Sequence, residues 1–139
     1  MAYSSLMRER RSDFFHSHIY FTAETRVSAS ALQQFLLRDL PRSVHISRLV
    51  DRPIGPHPLP MFELGFSASE YDEVRNYLEA HRGPHTALIH QVTEDEVWDH
   101  TEGAEWLGTP VPLDIQFLRD FMAGKSPGVS GTVPFVRKN

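Results

Sequence analysis

The stretch Phe14-Phe15-His16-Ser17-His18-Ile19-Tyr20-Phe21 decides the fold. Its aromatic and β-branched residues favour extended backbone, and side chains along a strand alternate between the two faces. His16 and His18 therefore point one way. Phe15, Ile19 and Phe21 point the other way, toward something apolar. Such a strand belongs to a sheet with a hydrophobic core behind it and a polar site in front.

Working outward, Ser28 is placed to cap a helix with Leu32, Phe35, Leu36 and Leu40 along one side and Pro41 at its end. Val44 to Val50 reads as a second strand. Residues 51–60 hold four prolines in ten positions, which excludes helix and central strand and makes a stiff connection around His57. Met61 to Phe66 is a third strand, with Phe62, Leu64 and Phe66 on one face and Glu63 on the other beside Met61 and Gly65. Ser67-Ala68-Ser69-Glu70 has the spacing of a capping box. It opens a second helix marked by Tyr71, Val74 and Leu78 and closed by Gly83-Pro84. Thr86 to Gln91 is the fourth strand. Strand, helix, strand, strand, helix, strand predicts an α+β, ferredoxin-like βαββαβ sandwich with a four-stranded antiparallel sheet.

Residues 1–12 show no periodicity and are expected to form a flexible lead. The domain is expected over 13–125, with a helical extension from about residue 95 and a tail over 126–139. Within the extension, Asp99 is placed to cap a short helix through Glu102 to Leu107. Leu113, Phe117, Leu118 and Phe121 predict another, stopped at Gly124.

Composition narrows the function. The chain has 139 residues, 40% hydrophobic and 23% charged, which suits one globular domain. A net charge of −4 argues against nucleic acid and against an anionic membrane surface. Arg8-Glu9-Arg10-Arg11 is too small and too interrupted to alter that. Cysteine is absent, so disulfides, thiolate nucleophiles and sulfur-ligated metals are excluded. No apolar run approaches the roughly 20 residues of a membrane-spanning helix, and no segment resembles a signal peptide, so a cytoplasmic location is expected.

The strand faces point to chemistry. In the expected sheet the first and third strands are central neighbours and the fourth flanks the first, so His16, His18 and Glu63 emerge together on the face without helices. His90 joins them if the fourth strand presents it there, with Leu88 sharing that face. Imidazoles with one carboxylate and no sulfur match the ligand set of a non-haem iron(II) site, and zinc or manganese fits nearly as well. His45 lies at an outer strand, and His81 and His85 bracket a helix end that favours histidine without any functional role.

Phe15 to Phe21, Gly55-Pro56-His57-Pro58-Leu59-Pro60-Met61-Phe62-Glu63, and Asp99-His100-Thr101 with Ala104-Glu105-Trp106-Leu107-Gly108 resemble, in order, the signature blocks of the DOPA 4,5-dioxygenase family of fungi and bacteria. Glu102-Gly103 stands where that family often carries a histidine-containing pair. The resemblance implies a ferredoxin-like homodimer that uses iron(II) and O2 to cleave a catechol such as DOPA by the extradiol route. On that reading His16 and His18 with Glu63 or His90 would hold the metal, and His57 or His100 would serve as the acid–base residue, a task that suits imidazole. Tyr20, Thr101 and Trp106 would contact the substrate. Two other readings of the same residues are a non-catalytic dimer that binds metal or an aromatic ligand, and a cofactor-free monooxygenase.

Overall fold

The computed structural model describes residues 9–125 and 135–136. In chain order the elements are β1 (Phe14–Tyr20), α1 (Arg26–Asp39), β2 (His45–Ser47), β3 (Met61–Ser67), α2 (Tyr71–His81, entered through a 3-10 turn at Ala68–Glu70), β4 (Ala87–Gln91), α3 (Glu96–His100), β5 (Glu105–Leu107), α4 (Ile115–Met122) and β6 (Phe135–Val136). The chain is thus of the α+β class. One sheet runs β5-β4-β1-β3-β2-β6, and every pairing is antiparallel.

The expectation of four strands is corrected to six. β4-β1-β3-β2 fall in the expected order, and β5 and β6 add to the two edges that those four would leave open. An open edge is a row of unsatisfied backbone N–H and C=O groups, so pairing there is strongly favoured. That drive also explains why the expected helix over 102–107 does not form. Glu105-Trp106-Leu107 pairs with Ala87, Leu88 and Ile89 of β4, and sends Leu107 to one face and Trp106 to the other. The short helix lies earlier, at Glu96–His100, with Asp95 as its cap instead of Asp99: the Trp98 N–H donates to Asp95 Oδ1 at 2.9 Å. Gly103 then passes so close to Trp98 that a Cβ there would lie 2.6 Å from the indole ring.

The face of alternate β1 and β3 residues behaves as the sequence predicts. Phe15, Ile19, Phe62, Leu64 and Phe66 pack against Leu32 and Leu36 of α1 and Val74 and Leu78 of α2. Burial of each such side chain is worth about 1.5–3 kcal/mol, so this layer anchors the fold. The capping box forms, with the Ser67 N–H donating to Glu70 Oε1 at 2.9 Å. α1 begins at Arg26, ahead of the expected Ser28 cap, and buries Ala29, Leu32, Gln33 and Leu36. That rotation leaves Phe35 exposed. Gln33 is buried because its amide donates to the Ser47 carbonyl at 2.8 Å.

Of the expected N-terminal lead, residues 1–8 lie outside the described residues. The Gln91 amide holds residues 9–12: its oxygen accepts from the Arg11 and Ser12 N–H groups, and its nitrogen donates to the Glu9 carbonyl. Of the expected tail, 126–134 and 137–139 lie outside the described residues, whereas Phe135–Val136 pair with Ile46 and Ser47. No described helix is long and apolar enough to cross a membrane.

Candidate metal centre and cavity

Strand register assembles the site. His16 stands opposite Gly65 on one side and His90 on the other, and His18 stands opposite Glu63 and Leu88. Residues directly opposite in antiparallel strands share a face, so β1, β3 and β4 bring His16, His18, His90 and Glu63 to the side away from α1 and α2. Leu88 also lies there, and with Tyr20 and Met61 it builds a second, smaller apolar cluster with Ala104 and Val111.

Two more histidines come from segments whose position strand alternation cannot give. The proline-bearing loop turns at Gly55, whose φ of +56° suits glycine. A bridge between Ile54 and His57 holds the loop, which is tied to the extension where the Asp114 N–H donates to the Pro56 carbonyl at 2.8 Å. His57 thereby stacks near His18, with ring centroids 4.1 Å apart. His100, at the end of α3, approaches His90 with centroids 4.3 Å apart. Two sets of three, His16-His18-His90 and His18-His57-His100, have donor atoms that all lie within 4.8 Å of one another. His18 belongs to both. Strand alternation could not place the second set, because nothing in the spacing of residues 57 and 100 brings them beside β1; the family resemblance alone had named His57 and His100, as acid–base residues.

Hydrogen bonds decide where the imidazole lone pairs point. His90 Nδ1 lies 2.7 Å from the Gln91 carbonyl oxygen, and His100 Nδ1 lies 2.7 Å from that of Glu96. A carbonyl only accepts, so both Nδ1 atoms carry hydrogen and both Nε2 atoms are left as bare donors to a cation. His18 Nε2 is 3.1 Å from His90 Nε2. That separation is what two adjacent imidazole ligands adopt around one ion with bonds of about 2.0–2.1 Å.

His18 Nδ1 is fully buried without a hydrogen-bond partner. Glu63 Oε1 stands 3.7 Å from it and 3.5 Å from His16 Nδ1. A cation bound at His18 Nε2 would leave hydrogen on Nδ1, facing that carboxylate. The residues present thus fit a divalent metal.

Electrostatics agree. Burial, then the His100 charge, lowers His16 to about 4. Burial, then His100 and His16, lowers His57 to about 3. His18 and His90 are driven well below their ordinary value by burial and by the other imidazoles, and His100 is lowered by burial. All five are therefore neutral near pH 7, the form that binds metal. Burial raises Glu63 to about 7.

These groups line a cavity of about 360 Å³, the size of a small-molecule site. Val92, Leu118, Phe121 and Met122 give it apolar walls, so the extension lies over the histidine face. Tyr20, Trp106 and Thr101 do not line it. The Tyr20 hydroxyl is 2.7 Å from His57 Nδ1, its ring stacks on Trp106, and the Thr101 hydroxyl donates to the Val97 carbonyl at 2.6 Å. His85 is no helix-end histidine in water: it is buried between the Tyr20 carbonyl at 3.0 Å and the Ser28 hydroxyl at 2.9 Å.

Comparison with known proteins yields one family and several relatives. The model of the Dopa 4,5-dioxygenase family matches residues 15–117. An uncharacterized 21.2 kDa protein of Botryotinia fuckeliana is 33% identical over 116 residues, covering 76% of this chain and 63% of the relative. The DOPA 4,5-dioxygenase of Amanita muscaria is 30% identical over 110 residues, covering 74% of this chain and 48% of the relative. The chain therefore spans about half to less than two thirds of the length of these curated relatives. A crystal structure of a "putative dioxygenase" from Nostoc punctiforme superposes with a TM-score of 0.75 at 35% identity, covering 79% of this chain and 94% of that one.

Proposed function

Because the chain belongs to the Dopa 4,5-dioxygenase family, we propose that it is a non-haem iron(II)-dependent dioxygenase that opens a catechol ring by the extradiol route, on the histidine face of a ferredoxin-like core. The observation that carries this reading is the buried His18 ring, whose Nε2 stands 3.1 Å from the bare His90 Nε2 while its Nδ1 has no hydrogen-bond partner. A cation shared by the two Nε2 atoms would use both lone pairs and fix hydrogen on His18 Nδ1, on the side of the Glu63 carboxylate.

In this reading His16, His18 and His90 hold the metal. Glu63, set behind the Nδ1 atoms of His16 and His18, orients both rings in the manner of a carboxylate–histidine–metal pair. Bound iron(II) would supply the Lewis acidity and one-electron chemistry that allow a catechol to react with O2. The protein's own part is proton handling and exclusion of water. His57 is neutral at pH 7, and with Nδ1 engaged by Tyr20 its Nε2 is the atom left to take a catechol hydroxyl proton. His100 Nε2 is similarly available from the other side. The apolar wall of α4 keeps bulk water from the ring. A homodimer through the mixed face around the extension completes the proposal; a sedimentation coefficient of a dimer at micromolar concentration supports it, and that of an active monomer refutes it.

The test is anaerobic loading with iron(II) followed by O2 and a catechol panel. One O2 consumed per catechol, with the yellow chromophore of a ring-opened semialdehyde, is expected. Iron-loaded protein that consumes no O2 with any catechol contradicts the proposal.

A further inference from the structure

The charged groups around the cavity are of one sign. Besides Glu63 beside the histidines, Glu94 and Glu96 line it, and no lysine or arginine does so among the described residues. The two carboxylates also differ in depth from the donor cluster. His18 and His90 are buried at 3% and 4% exposure, whereas Glu94 is exposed and Glu96 half-buried. The cavity thus has a floor of imidazole donors, apolar walls from Val92, Leu118 and Phe121, and an acidic rim.

Resting on the catechol reading above, we infer that the substrate class is a catechol whose side chain carries an ammonium group and no carboxylate. A catechol with its two oxygens at the floor and its ring between the apolar walls sends its side chain toward the rim. An ammonium arriving there meets Glu94 and Glu96 at partial solvent exposure, where each opposite charge strengthens binding by at most about fivefold. A carboxylate arriving there meets the same two charges with reversed sign. The effects add between the two kinds of substrate, giving a discrimination of about tenfold in favour of the amine. A zwitterionic side chain gains and loses together and falls between them.

The test compares four catechols that differ only in the side chain: dopamine, 4-methylcatechol, DOPA and 3,4-dihydroxyphenylacetate. In the iron-loaded protein kcat/KM is expected to be highest for dopamine and lowest for 3,4-dihydroxyphenylacetate, about tenfold apart, with 4-methylcatechol and DOPA between them. The double variant Glu94→Gln, Glu96→Gln is expected to bring that ratio to within about twofold of one, and 0.5 M salt to shrink it in the unaltered protein. Equilibrium binding of dopamine and 3,4-dihydroxyphenylacetate, measured by calorimetry without O2, gives the same comparison independently of turnover. Absence of turnover with all four defeats the dioxygenase reading and leaves the binding order to decide this inference. Equal or tighter binding of 3,4-dihydroxyphenylacetate, or a ratio unmoved in the double variant, overturns it.

Discussion

The two faces of β1 share one backbone and differ in every other respect. Phe15 and Ile19 are sealed against two helices, where their burial holds the sheet together. His18 and, in part, His16, each one residue away, are buried at a cost to folding, because water has been taken from imidazoles that have few partners. One face stabilises the molecule and the other draws on that stability. Strain of this kind, in side chains whose protonation is suppressed by their surroundings, is a mark of a functional site.

Acid is expected to break the comparison most severely. All five site histidines have folded values below the unfolded value of 6.5, at about 4 for His16 and about 3 for His57, so the unfolded chain takes up protons first. Their neutral forms are tolerated without loss above about pH 6.5, and stability falls as the pH drops from there toward 4 and 3. Glu63 runs the other way: raised to about 7 from 4.5, its burden is full above pH 7 and eases as the pH falls. Five groups outweigh one. Urea midpoints of metal-free protein should decline steadily from pH 7 to 5, and a midpoint constant over that range would show that the histidine face is hydrated.

The helix-covered face should respond to lost volume and not to pH. Phe62→Ala, at a fully buried position in that layer, is expected to lower the unfolding free energy by about 3–5 kcal/mol. Denaturant melts at pH 7 and pH 6 would show the same decrement at both. A smaller effect belongs to Glu63→Gln. Retaining shape but losing charge behind His16 and His18, it should weaken metal binding by roughly 10–100-fold, read by competition with a chelator. The smallest belongs to Tyr20→Phe, which removes the hydroxyl 2.7 Å from His57 Nδ1. About 1 kcal/mol of stability should be lost, metal content should stay constant, and the acid limb of kcat/KM should move. An unchanged pH profile would show that Tyr20 does not set the state of His57.

Legibility in the sequence follows the same division. Alternation in β1 and β3 placed His16, His18 and Glu63 on one face because a strand's period is fixed by its backbone, and helical spacing found Val74 and Leu78 for the same reason. β5 is three residues long, too short to show a period, and its strand state comes from the open edge of β4. His57 and His100 reach β1 through a loop and a five-residue helix, whose paths depend on contacts such as Asp114 with Pro56. Family likeness, not spacing, brought those two into view beforehand. The stripe Phe117, Leu118 and Phe121 was visible as a helix, and Leu118 and Phe121 wall the cavity. Glu94 and Glu96 gave no signal of their own, since acidic residues beside a short helix are ordinary on a surface.

The measurement that bears most directly on the central claim is an anaerobic iron(II) titration of three proteins whose folding is verified by circular dichroism. Unaltered protein is predicted to take up one equivalent. His18→Ala, which removes the residue common to both donor sets, is predicted to take up none, and His57→Ala to retain the full equivalent without turnover. Equal iron retention, or equal iron loss, in the two variants would contradict a metal centre built on His16, His18 and His90.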